Sequence, residues 1–254
     1  MLKKYSDSLR FCKVDSIRKV YNDSFSALLK NIAESDEGFE LNTDSIFSTV
    51  SVLKSPDGKM KVFSWVYIND KEEYFNHCLV MYRSKPNREH QVFWLNDRID
   101  TRVDSVYDEF GPDQWPGALY YQMFQFKVKN TTMYCVLGFD GKNSFNNRKI
   151  IDVLWVDKDR ELHIGAPVFY ASDRDYSPKY RVFFEYADQT TMLLRFEMEM
   201  KLITFSNLVP SSPDKLGLKQ YYIPDGRIDT YQLKKKGKWV YSQGLDEFEF
   251  KGNE

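Results

Sequence analysis

Histidine and cysteine are the first residues to weigh for nucleophilic or metal chemistry, and here their spacing argues against both. His77, His90 and His163 lie far apart, and none has a partner at metal-ligand spacing. His77 adjoins Cys78, but neighbours on a strand point to opposite faces, so the two cannot form a thiolate–imidazole pair there. The histidines read as ordinary surface or core residues. Cys12, Cys78 and Cys135 are odd in number and widely spaced, with no C-x-x-C. That excludes a disulfide framework, a zinc ribbon and a thioredoxin-type pair, and leaves at most a single bridge open. Three small buried hydrophobes is the better description. The chain also lacks G-x-S-x-G, a Walker A loop, G-x-G-x-x-G and H-E-x-x-H. No metal and no cofactor is expected.

Carboxylates are more numerous. Asp157-Lys158-Asp159-Arg160-Glu161 alternates three of them, as a calcium loop does. An EF-hand needs Gly at its sixth position and Glu at its twelfth, where this chain has Leu162 and Val168. The segment therefore reads as an exposed hairpin turn. Asp97, Asp100 and Asp104 alternate with Arg98 and Arg102, which mutual surface pairing explains. A carboxylate pair for glycoside cleavage meets in space and not in sequence, so the sequence names none.

Two loops are the better candidates for a binding surface. The segment 108–117, rich in Pro and Gly, carries Trp115, whose ring could stack on a sugar or anchor a partner. The competing reading makes Trp115 a plug for the end of a sheet. The segment 140–148 carries Asp140, Asn143, Asn147 and Arg148, whose amides and guanidinium could read a polar ligand. Its competing reading is a wide hairpin loop held by Asx turns.

These loops must be held by a scaffold. The chain has 254 residues, 42% of them hydrophobic, enough for a sizeable core. Lys and Arg total 36 and Asp and Glu 37, with interspersed signs. This gives no basic footprint for nucleic acid and no polybasic arm for anionic lipid. The opening Met1-Leu2-Lys3-Lys4-Tyr5-Ser6-Asp7 has no apolar signal core behind its lysines, which leaves the cytoplasm open as a compartment. No run of 18 apolar residues exists, so no membrane-spanning helix is expected.

The first predicted element is an amphipathic helix over 15–34. Ile17, Val20, Tyr21, Phe25, Leu28, Leu29 and Ile32 form one stripe, Asp15 or Ser16 can cap it, and Gly38 follows its end. From residue 46 to 243 the pattern changes to about a dozen short apolar runs separated by turn residues. Ser55-Pro56-Asp57-Gly58-Lys59 is the strongest turn signal. Short connections imply antiparallel pairing. The expected fold is mainly β and a single domain over 1–254, built as an antiparallel meander. It would be a large twisted sheet, a sandwich or a partly closed barrel. A propeller is the alternative, but corresponding strands open at Met60, Met133, Met192 and Trp239, and separations of 73, 59 and 47 residues are too uneven for a repeat array.

Several phrases together resemble a known family. They are Gly138-Phe139-Asp140-Gly141, Arg148–Leu154, Gly165–Phe169, Arg181–Tyr186, Leu208-Val209-Pro210, Tyr221–Asp225 and Lys236–Tyr241, with Ser55–Lys59 and Phe63-Ser64-Trp65 upstream. The family is an uncharacterised one, mostly of exported proteins, from Gram-negative gut and environmental bacteria. The resemblance covers most of the chain after residue 46 and implies a periplasmic or exported location. It implies no activity and no catalytic residues. The expectation is a non-catalytic binding or interaction protein of the cell envelope, with a glycan or another envelope protein as partner. The alternatives are a carbohydrate-active hydrolase with an unrecognised carboxylate pair and a structural subunit of an assembly.

Overall fold

The computed structural model describes residues 1–41, 43, 47, 49–85, 89–97, 105–143 and 146–244, with backbone only at 10, 142 and 143. Two helices open the chain, α1 (Leu2–Phe11) and α2 (Asp15–Ala33). The sequence reading contained only the second. In α1, Leu2, Ser6 and Leu9 recur at helical spacing and turn inward, and Tyr5 packs on Tyr21. In α2 the buried line is Asn22, Phe25, Leu29 and Ala33. Ile17 and Val20 fall on the opposite side at 100° per residue and are exposed, so the predicted stripe is buried only along its C-terminal half. The helix is also entered without a side-chain cap: Val14 occupies the cap position. Asp15 instead accepts from the Tyr67 hydroxyl and pairs with Arg18.

Strands β1 (Val50–Lys54), β2 (Met60–Ile68), β3 (Tyr74–Tyr82) and β4 (Gln91–Leu95) form the first sheet, an antiparallel meander. Ile46, where the strand pattern was expected to open, lies outside the described residues. The β1–β2 turn is the one read from Ser55–Lys59. Gly58 takes φ +67°, and the Ser55 hydroxyl accepts from the amides of Lys59 and Met60.

The second sheet is built on β5 (Leu119–Val128), β6 (Thr131–Asn143) and β7 (Asn146–Val156). The outer edge of β7 is shared by β8 (Leu162–Ile164) and, after β9 (Phe169–Tyr170), by β10 (Val182–Ala187). The third sheet contains β11 (Leu194–Glu197), β12 (Leu202–Pro210), β13 (Tyr222–Leu233) and β14 (Trp239–Ser242), with β9 added parallel to β14.

The layers are helices, first sheet, second sheet, third sheet, and period-two alternation divides each strand between two cores. On β2 and β3, Phe63, Trp65, Leu79 and Met81 face the helices, while Met60, Val62, Cys78 and Val80 face the second sheet. On β6 and β7, Tyr134, Val136, Ile150 and Leu154 face the first sheet, while Cys135, Leu137, Ile151 and Val153 face the third. The fold is thus mainly β and antiparallel, in stacked sheets without a closed barrel. All three cysteines are free thiols, and Cys78 and Cys135 are buried.

Candidate functional site

The sequence-derived residues are best followed from the backbone outward. Trp115 ends a short 3-10 turn over Pro112–Gln114 and is 1% exposed. Its indole N–H donates to the Tyr120 hydroxyl at 2.9 Å, and its ring packs in the core between the first two sheets. Trp115 therefore plugs the fold and presents no ring to solvent, which corrects its assignment as a ligand contact. A large apolar ring beside a free sheet end gains more from burial than from exposure.

The 140–148 segment is not a wide loop. β6 runs on through Asn143 and β7 begins at Asn146, which makes Asp140 and Arg148 directly opposed residues of one hairpin. Both are 1% exposed and pair at 2.9 Å between Arg148 Nη2 and Asp140 Oδ2. The same nitrogen donates to the Pro116 carbonyl at 2.8 Å. Asn76 Nδ2 donates to Asp140 Oδ1 and to Asp97 Oδ2, tying the first sheet into the cluster. Asn147 donates to Asp188 at 3.0 Å beyond the end of β10. The side chain of Asn143, with Ser144 and Phe145, lies outside the described residues. So do Asp100, Asp104, Arg98 and Arg102 of the expected surface pairing. Asp140 and Arg148 are thus brought together, but as an interior pair and not as a polar rim.

A second buried pair stands four residues along β7. Arg181 Nε donates to Asp152 Oδ2 at 3.2 Å, and both side chains are fully buried. The Arg181 guanidinium also donates to the carbonyls of Ser105, Asp108 and Ile164. Burial pushes the Asp152 carboxyl above its ordinary range, although Arg181 pulls the other way. Arg181 holds the start of the 105–117 segment and Arg148 holds its end. The sequence reading placed Arg181 only at the head of the strand phrase Arg181–Tyr186 and gave it no role in a site.

Asp157–Glu161 is a tight turn between β7 and β8, closed by the Glu161 amide on Asp157. Among the described residues, no group of three or more His, Cys, Asp or Glu is placed to hold a metal ion.

Two cavities among the described residues bear on binding. One, of about 530 Å³, lies between the helices and the first sheet, with Leu9, Val50, Val66 and Ile68 in its walls. Among the described residues its one charged wall residue is Arg18, which is already bound to Asp15 and Asp70. The other, of about 470 Å³, lies between β10 and the β12–β13 hairpin. Phe183, Phe184, Phe205, Leu208 and Tyr222 give it apolar walls, and Glu185, Asn207, Lys219 and Asp229 add polar groups. The register of β12 on β13 shifts between Ser206 and Leu208, and this irregularity sets Asn207 on the groove, where it donates to Asp225 at 2.9 Å. Lys219 Nζ sits 4.1 Å from the centre of the Tyr222 ring. The Gly217 amide donates to the Tyr222 hydroxyl and lowers its pKa. Asp229 accepts from the Tyr241 hydroxyl at 2.8 Å and from the Gly244 amide at 3.0 Å. Aromatic walls with a few convergent polar groups are the ordinary chemistry of a ligand groove.

Searches against known protein families and against curated proteins gave no match.

Proposed function

We propose that this chain is a non-catalytic binding protein of the cell envelope that takes a glycan, or a segment of another envelope protein, in the groove between β10 and β12–β13. One observation carries the reading. A half-open groove of about 470 Å³ combines aromatic walls with an amide, an ammonium and carboxylates. Sugars and peptides both present apolar faces edged by hydroxyls or amides, which such a wall can match. The envelope location comes from the family resemblance. Support for binding over cleavage comes from Asp229, whose two oxygens are already held by Tyr241 and Gly244.

The test is a glycan array followed by calorimetry on the best hit, comparing the parent with Asn207→Ala and Lys219→Ala. Losing one polar contact should weaken binding by about tenfold. Parent-like affinity in both variants would move the site elsewhere. A parent that retains neither a glycan nor an envelope protein would end the reading.

A second reading, a carbohydrate-active hydrolase, has one observation in its favour: Glu185 and Asp229 wall the same groove. It requires release of reducing ends from the bound glycan and loss of that release in Glu185→Gln. Absence of release from a glycan that binds would exclude it.

A further inference from the structure

The near-neutral whole-chain charge hides a local asymmetry at the helical end. Residues 1–20 hold Lys3, Lys4, Arg10, Lys13, Arg18 and Lys19 against Asp7 and Asp15, and the β2–β3 turn adds Asp70 at this corner. Arg18 is bound to Asp15 and Asp70, whereas Lys13 and Lys19 are exposed and make no ion pair among the described residues. Interleaved with them at three-residue intervals are Phe11, Val14, Ile17 and Val20, which are 68%, 50%, 46% and 61% exposed. These four span the turn between α1 and α2. Folding gains nothing from leaving Val14, Ile17 and Val20 in water, and the buried face of α2 lies on the other side.

We infer that the α1–α2 corner docks on an anionic phospholipid surface, with Phe11, Val14, Ile17 and Val20 entering the headgroup boundary and Lys13 and Lys19 meeting lipid phosphates. The interleaving decides the occupant. The centre of a protein–protein interface is depleted of lysine, because its ammonium is costly to strip of water. At a bilayer the same lysines stay hydrated among phosphates while aliphatic neighbours descend into the acyl boundary. Each cation near such a surface adds to the attraction, which salt then screens. The docking does not depend on the groove and does not require a spanning segment.

Sedimentation with sucrose-loaded vesicles tests this on the whole chain, using phosphatidylcholine alone or with about 30 mol% phosphatidylglycerol to supply the negative surface. The parent should sediment with the anionic vesicles only, and less in high salt. Ile17→Asp/Val20→Asp and Lys13→Glu/Lys19→Glu should each cut partitioning by about tenfold or more. Both pairs change exposed positions, so the melting temperature should stay at the parent value. The charge pair keeps the apolar side chains and so separates the two contributions. No sedimentation with anionic vesicles, or equal sedimentation with neutral ones, would overturn the inference. So would a concentration-dependent dimer abolished by Ile17→Asp/Val20→Asp, which would assign the corner to a second copy of the chain.

Discussion

The guanidinium of Arg148 lies 4.7 Å from the centre of the Phe183 ring. Phe183 belongs to the groove lining, and Arg148 is buried in a pair with Asp140. An arginine that the sequence suggests as a ligand contact therefore acts from behind the wall. It fixes the aromatic residue beside it and ties the 105–117 segment to the second sheet through the Pro116 carbonyl.

Arg148→Met should lower unfolding stability by about 3–5 kcal/mol, because the Asp140 carboxylate would be left buried without its cation. Adding Asp140→Asn should restore part of the loss, since the two residues act as one unit. Urea titration of the parent, both single variants and the double variant measures the coupling. A parent-like midpoint for Arg148→Met would refute the buried-pair account.

Trp115→Ala should cost about 3–5 kcal/mol by removing a packed ring and the donor to Tyr120. Folded protein carrying this change should still bind whatever the parent binds in the groove, because Trp115 lies in the core between the first two sheets. Calorimetry below the lowered melting temperature checks both parts. Selective loss of binding at unchanged stability would return Trp115 to the ligand site.

His77 stacks on Trp65 with ring centres 5.1 Å apart, and burial pushes its pKa down to about 4 from 6.5. The fold accepts the neutral ring while the unfolded chain takes the proton. Its contribution is complete above about pH 6.5 and declines as pH falls toward 4, with a loss on the order of 3 kcal/mol across that window. His77→Gln should remove this slope from a plot of urea midpoint against pH. Parallel curves for the two proteins would show that the imidazole is not the titrating group.

Gly138→Ala should cost about 1–3 kcal/mol, because the added methyl would come within 2.8–2.9 Å of Ala118, Tyr120 and Ile150. Thermal unfolding reads the effect directly. A neutral result would mean that the neighbours of Gly138 within the second sheet can shift locally without penalty.

Much of the local structure was legible. Met60–Ile68 and Tyr74–Tyr82 are short runs rich in strand-forming aromatic and β-branched residues, and the turn at Ser55–Lys59 carries its own chemistry, so the hairpins follow from short-range rules. The aspartates of Asp157–Glu161 also marked that segment as a turn. What escaped was set at long range. No local pattern says that β10 returns to β7 across the intervening β8 and β9, or that β9 joins β14 in parallel. Without those pairings the groove between β10 and β12 has no address in the sequence. The polar content of 140–148 reads as a loop, yet two opposed charges on a hairpin neutralise each other and go inside. α1 escaped because its apolar line is only Leu2, Tyr5 and Leu9.

Among the described residues the centre of the middle sheet is covered on both sides: Val136 and Ile150 point one way, Leu137 and Ile151 the other. During synthesis its first cover is made before it and its second only afterwards, from residues 194–242. A nascent chain halted before that last portion leaves the ribosome with a broad oily surface bare. Such truncated products should cling to chaperones or precipitate, so successful production of this protein depends on reaching the final strands.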